Sequence, residues 1–207
     1  MSARAPYRGS ITREQWLINE TRTVARLRTD DRLDDDQILE RNLRENLFQY
    51  PTERELRSIT KACCRRLDAL SEDPELREHL TALLAHGNGE RAAQVNLYAL
   101  MRDNRIVWDF MANVLAVKLH AYDHFLEKHE IAQYVEGLRA QVETASRWSD
   151  ATCNKIRQVL TTCLVAVGYL DSNRSSELKP ILLDLDLEDA MRANGDTEAL
   201  AAFGCLE

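Results

Sequence analysis

The 207-residue chain is poor in the residues that break helices, with seven glycines and four prolines. That scarcity disfavours a strand-and-turn architecture and excludes collagen-like or linker-rich chains. The five cysteines are an odd number, include the adjacent pair Cys63-Cys64, and never stand as Cys-x-x-Cys. A zinc ribbon and a disulfide framework are both excluded on that spacing, and reduced thiols in a cytoplasmic protein without a leader are expected. No long apolar run exists. The most apolar stretch, Ile106 to Leu119, is interrupted by Asp109 and Lys118, so it reads as a buried core helix and not a membrane span. A P-loop, a glycine-rich nucleotide fingerprint and a Gly-x-Ser-x-Gly elbow are all missing, as is any cysteine with an evident histidine partner. The expectation is a non-enzymatic protein without cofactors or metal. His120 and His124 stand one helical turn apart, but they lack a third ligand of the right type and spacing.

What the chain does have is leucine, alanine, arginine and glutamate at helical spacing, which predicts an all-α fold. The net charge of −7 is unevenly spread. Residues 1–70 and 147–180 each carry a net +2, whereas residues 71–146 carry −5 and residues 181–207 carry −6. Two mildly basic sections therefore alternate with acidic ones, and the overall sign does not exclude a nucleic-acid partner.

Residues 1–10 have no apolar periodicity and read as a loose arm. Thr12 and Gln15 match a capping box that opens a helix running to about Arg28. Asp34-Asp35-Asp36 places negative charge at the start of the next helix, where the macrodipole favours it. Gln49-Tyr50-Pro51 makes a tight connection, and Thr52 with Glu55 forms a second capping box. The helix that follows buries Leu56, Ile59, Cys63, Leu67 and Leu70. Opposite that stripe, Arg54, Ser58, Lys61 and Arg65 form a row at 100° per residue, flanked by Arg57. A helix, a short turn and a second helix with a basic outer row make a helix-turn-helix candidate, suited to phosphate contacts. A solvated amphipathic face gives a similar pattern, and both readings stand at this point.

Asp73 and Pro74 mark the clearest internal boundary, as N-cap and first helical residue. Helices to His86, from Glu90 to Arg102 and from Asn104 to Leu119 form a central scaffold over residues 73–129. Ile131 to Val142 makes a supporting helix. Ser149 then caps a helix whose inner face is Ile156, Val159, Leu160, Cys163, Leu164 and Val167, and Gly168 stops it. Its outer face carries Asn154, Gln158, Thr161 and Thr162, with Lys155 and Arg157 on the shoulders. Beyond it, two brief extended segments around Ser172 to Ser176, with Arg174 in the turn, suggest a short β wing. Residues 130–207 thus read as a winged helix-turn-helix unit with an acidic tail helix, and residues 11–72 as the N-terminal unit. Asn154, Gln158, Lys155, Arg157 and Arg174 are the second set of candidate DNA contacts.

The segments ETRTVARL, ENLFQYPTERELRSITKACCRRLDAL, LMRDNRIVWDFMANVL and WSDATCNKIRQVLTTCLVAVGYLDS, with LKPILL after them, resemble the BrxA family in their order and spacing. That family supplies a small core protein of BREX bacteriophage-exclusion systems, and the resemblance runs from about Ile11 to Phe203. It implies a cytoplasmic component working beside a DNA methyltransferase, an ATPase, a phosphatase-like protein and a Lon-like protein. It transfers no catalytic residues. The leading expectation is double-stranded DNA binding, mainly through backbone phosphates. A protein interaction scaffold without DNA contact and an RNA-binding helical protein are the alternatives. With no long heptad seam in the sequence, the isolated chain is expected to be a monomer.

Overall fold

A computed structural model describes residues 7–205. It is all-α: among those residues no sheet forms, and the one β-type pairing is an isolated antiparallel bridge between Phe125 and Glu177. The chain divides into two compact units.

The first unit is Leu17–Asp103. It contains α2 (Ile18–Thr29), α3 (Asp35–Glu45), α4 (Glu53–Ala69), α5 (Pro74–His86) and α6 (Gly89–Asp103). Local signals set these boundaries. The Asp34 carboxylate accepts from the Gln37 N–H at 2.9 Å while the Gln37 side chain accepts from the Asp34 N–H at 3.0 Å, a reciprocal capping box. Asp73 accepts from the N–H groups of Glu75 and Leu76, with Pro74 at the first position, where its missing N–H costs nothing. Val24 and Leu27 of α2, Leu56, Ile59, Cys63 and Leu67 of α4, and Leu80 and Leu84 of α5 are buried. They pack around α6, which is buried on every face from Ala92 to Met101. A helix enclosed all round is the centre of its unit.

The second unit joins residues 7–16 to residues 104–205. It holds α1 (Ile11–Glu14), α7 (Arg105–Phe110), a π-helical turn (Met111–Leu115), α8 (Ala116–His120), α9 (Lys128–Gln141), α10 (Asp150–Val167), α11 (Leu185–Ala193) and α12 (Thr197–Ala202). The N-terminal helix expected from Thr12 to Arg28 is broken in two. Gln15 and Leu17 take positive φ, and the Thr12 hydroxyl donates to the Gly9 carbonyl at 3.0 Å, so the expected Thr12–Gln15 capping box does not form. Of the expected loose arm, residues 1–6 lie outside the described residues. Tyr7 donates its hydroxyl to Asp109, and the Arg8 carbonyl accepts from the Asn104 amide at 3.0 Å. Arg105 also reaches Asp109 at 3.2 Å and lies over the Tyr7 ring, 4.6 Å from its centre. Asp109, which interrupts the apolar run, is thus buried against a phenol and a guanidinium, as a buried carboxylate requires. Burial and the nearby Asp109 charge push the Tyr134 phenol well above the usual tyrosine range, and that phenol donates to the Ile106 carbonyl at 2.6 Å.

The π turn accounts for a departure from the expected core stripe. Helical spacing after Asn104 turns Ile106, Val107, Phe110, Met111, Val114, Leu115 and Leu119 inward; five of these are buried, but Val114 and Leu119 are only half-buried. A wide turn inserts a residue into the helical repeat, so positions after it rotate away from the face the 3.6-residue period assigns.

Candidate nucleic-acid interface

In the first unit the outer face of α4 is the place to look for phosphate contacts. Thr52 caps the helix, its hydroxyl oxygen accepting from the Glu55 N–H at 3.2 Å, while the same hydroxyl donates to the Glu55 carboxylate at 2.9 Å. Arg54 and Lys61 are exposed and have no hydrogen-bond or ion-pair partner among the described residues. Seven residues apart, they stand about 10 Å from each other along the helix. Arg57 is exposed and lies 3.6 Å from Glu53 on the same helix. Ser58 is half-buried between them.

Arg65 departs from the expected row. Its Nε and Nη2 donate to the two oxygens of Asp103 on α6, at 2.7 and 2.9 Å. Asp103 is buried and the Arg65 side chain is only 34% exposed. The helical wheel places Arg65 beside Lys61, but its long side chain turns inward to the carboxylate, a partner that only the α4–α6 packing supplies. On α3, Arg41 and Arg44 are similarly engaged, by Asp31 and Glu45.

In the second unit α10 begins as expected at Ser149, whose oxygen accepts from the Thr152 N–H at 3.2 Å. It ends at Gly168, in the left-handed conformation with φ 92°. Asn154 and Gln158 are exposed, while Lys155 and Arg157 are half-buried. The Asn154 carbonyl oxygen accepts from Arg157, which ties the two together. Thr161 and Thr162 spend their hydroxyls on the carbonyls of Arg157 and Gln158, at 2.9 and 2.8 Å, so these groups serve their own helix. Arg174 is exposed on the loop beyond.

The expected wing is not formed by strands. The Lys179 N–H donates to the Tyr169 carbonyl at 2.9 Å, but the flanking backbone groups turn to a different segment: Leu178 donates to His124, and the Ser176 carbonyl accepts from Leu126. Residues 124–126 compete for the edge that a hairpin would use. Glu177 accordingly bridges to Phe125 and has no partner strand across its own turn.

Cys63, Cys64, Cys153 and Cys163 are buried, and burial pushes the Cys64 thiol up to about 12, far from the thiolate that reactivity needs. His120 directs its ring Nδ1 to the Ala116 carbonyl at 2.7 Å. Among the described residues no helix is long and apolar enough to cross a membrane.

The sequence profile of the BrxA family matches residues 5–195. The chain belongs to the BrxA family. A relative from Bacillus cereus named BREX protein BrxA is 30% identical over 161 residues, spanning 77% of this chain and 78% of its own. A second protein of that name, from Paramagnetospirillum magneticum, is 22% identical over 152 residues, 73% of each chain. The crystal structure of a protein from Magnetospirillum magneticum is similar with a TM-score of 0.78, at 21% identity over 95% of this chain and 97% of that one. This likeness establishes the fold, and the resemblance seen in the sequence is to the same BrxA family.

One exposed apolar stretch stands outside the expected core stripes. Leu182 and Leu185, in a run where leucine alternates with aspartate, are 91% and 75% exposed. The signal was present in that alternation, which fits neither a buried helical stripe nor a polar loop.

Proposed function

We propose that this chain is a non-enzymatic component of a BREX phage-defence system that binds double-stranded DNA, chiefly through backbone phosphates. The observation that carries the reading is the pair Arg54 and Lys61, exposed on one face of α4 without partners among the described residues. Cations already neutralised by neighbours have less to gain from phosphate, and α3 and Arg65 are of that kind. In this reading α3 with α4, and α9 with α10, act as helix-turn-helix-like pairs, and the second helix of each faces the duplex. Arg57 and Ser58 support the first contact. Lys155, Arg157 and Arg174 add phosphate contacts from the second unit, and Asn154 and Gln158 are the groups able to meet base edges. Arg65 steadies α4 from within. Other BREX proteins are the expected protein partners, on the strength of the names carried by the relatives.

The test is a competition assay on the full chain, with labelled duplex DNA displaced by unlabelled duplex, by RNA of the same sequence, or by neither. Displacement by duplex alone supports the reading. Preferential displacement by RNA makes this an RNA-binding helical protein, and no binding to either leaves a protein scaffold.

A further inference from the structure

We propose that Arg13 and Arg147 are a further pair of phosphate contacts, so that the N-terminal segment belongs to the DNA-binding surface of the second unit. The inference rests on the DNA reading above and adds to it a place that the outer faces of α4 and α10 do not include. The segment is firmly held. Gly9 stands against the Trp148 indole, where an added Cβ would lie 3.2 Å from Nε1, tighter than an ordinary contact, so glycine permits the approach. Helix α1 packs on α10. Ile11 is fully buried and Glu14 is buried one turn later, which turns Arg13 outward, where it is exposed. On the other side of the Gly9–Trp148 contact, Arg147 immediately precedes the indole and is exposed. Ala145 is fully buried and its carbonyl accepts from the Trp148 N–H at 2.9 Å, which fixes the turn that carries Arg147.

Neither guanidinium has a hydrogen-bond or ion-pair partner among the described residues. Asp150, at the start of α10, is held by Arg139 at 2.7 Å, and Glu143, four residues before Arg147, makes no ion pair with it. Two uncompensated cations on a fixed backbone have most to gain from a polyanion. The surroundings favour phosphate over an acidic protein. No large apolar side chain is exposed in residues 7–16 or 141–158, so a protein partner would find no apolar centre to cover. Phosphate requires only cations and hydrogen-bond donors. The surface also continues into the contacts already proposed for this unit: Lys155 follows the Ser149 cap by six residues, about 9 Å along α10.

The experiment follows binding of the full chain to two unrelated labelled duplexes by fluorescence anisotropy over a range of salt concentrations. Arg13→Ala with Arg147→Ala should reduce the slope of log affinity against log salt by roughly 2, equally on both duplexes. Arg13→Lys with Arg147→Lys should keep the wild-type slope, because a point charge suffices to neutralise phosphate. Lys128→Ala with Arg192→Ala removes the same charge from exposed positions elsewhere in the second unit and should leave the slope unchanged. All four positions are exposed, so melting temperatures should stay near that of the wild-type chain. The inference is overturned by an unaltered slope in the Arg13 and Arg147 alanine variant, by the same reduction in the lysine pair or in the Lys128 and Arg192 variant, or by a loss confined to one duplex. Polyglutamate bound in place of duplex, through the same two arginines, overturns it in favour of an acidic protein partner. Failure of the DNA reading looks different: the wild-type chain then binds no duplex and both fall, whereas failure of this inference alone leaves duplex binding whose slope Arg54→Ala with Lys61→Ala still reduces.

Discussion

Arg65 and Asp103 are joined by two parallel hydrogen bonds, 2.7 and 2.9 Å long, between the outer face of α4 and the end of the buried helix α6. Two charge-assisted bonds to a buried carboxylate make this a structural clamp. Asp103→Ala should lower stability by about 1–2 kcal/mol, discounted because the Arg65 side chain is one-third exposed. For a chain of this size that is a fall of about 2–8 °C in melting temperature. Arg65→Ala should be destabilising in the same way and leave the salt dependence of DNA binding unchanged. A variant with wild-type melting and a slope reduced by about 0.9 would instead make Arg65 a phosphate ligand.

The unpaired cations of α4 should behave in the opposite way. Replacing Arg54 and Lys61 together with alanine is expected to reduce the slope of log affinity against log salt by roughly 2, and to do so equally on unrelated duplexes. Melting should hardly change, because both residues are exposed and without partners among the described residues. Asn154→Ala with Gln158→Ala should leave the slope alone and alter preference among sequences, if the second unit reads bases. A folded α4 variant with an unchanged slope rejects that face as the phosphate contact.

Two glycines predict opposite signs. Gly168 closes α10 at φ 92°, and a Cβ added there meets only Ile181 at 3.8 Å, an ordinary contact. Gly168→Ala should therefore cost about 1–2 kcal/mol through the left-handed backbone alone. Gly137 lies inside α9 with open space around an added Cβ. Gly137→Ala should stabilise by about 0.5–1 kcal/mol. Chemical denaturation of both variants checks the pair, and a shared sign would contradict the backbone assignment at one of the two positions.

Lys118 holds the loop between α8 and α9. Its Nζ donates to Asp123 at 2.7 Å and to the Phe125 carbonyl at 2.6 Å, and lies 2.7 Å from Glu130. The Lys118 hydrogen bond holds the Asp123 carboxyl below its ordinary 3.8. Burial acts upward on Glu130, but hydrogen bonds from Lys118 and the Glu127 N–H outweigh it and leave that carboxyl below its ordinary 4.5. Burial acts downward on Lys118, and the two carboxylates reverse that, raising it above 10.5. Depressed carboxylates stabilise the fold above their unfolded values and lose that effect as the pH falls through the folded ones. The raised ammonium stabilises fully below its unfolded value and loses the effect as the pH rises through its folded one. The melting-temperature difference between the wild-type chain and Lys118→Met should thus stay constant from about pH 6 to 9 and shrink below about pH 4. A difference undiminished in acid would show that the clamp is not ionic.

The sequence by itself determined most of the helix limits after Thr29, because these are set by groups a few residues apart. Asp73 with Pro74, Thr52, Asn104, Ser149 and Gly168 all act where local chemistry places them. The buried stripe of α4 was equally legible, as was that of α10 except for Val167, which is half-buried at the helix end, since the 3.6-residue period fixes which side chains share a face. Only the tertiary structure decided what each polar face meets. Arg65 finds a carboxylate 38 residues away, and Tyr7 finds Asp109 across 102 residues. No periodicity encodes such separations. The missing wing has the same origin, for residues 124–126 take the backbone groups that a hairpin would pair. Leu182 and Leu185 follow the same rule in reverse. Their sequence is as apolar as that of Leu183 and Leu187, and only the packing of α11 determines which leucines turn to the core and which to solvent.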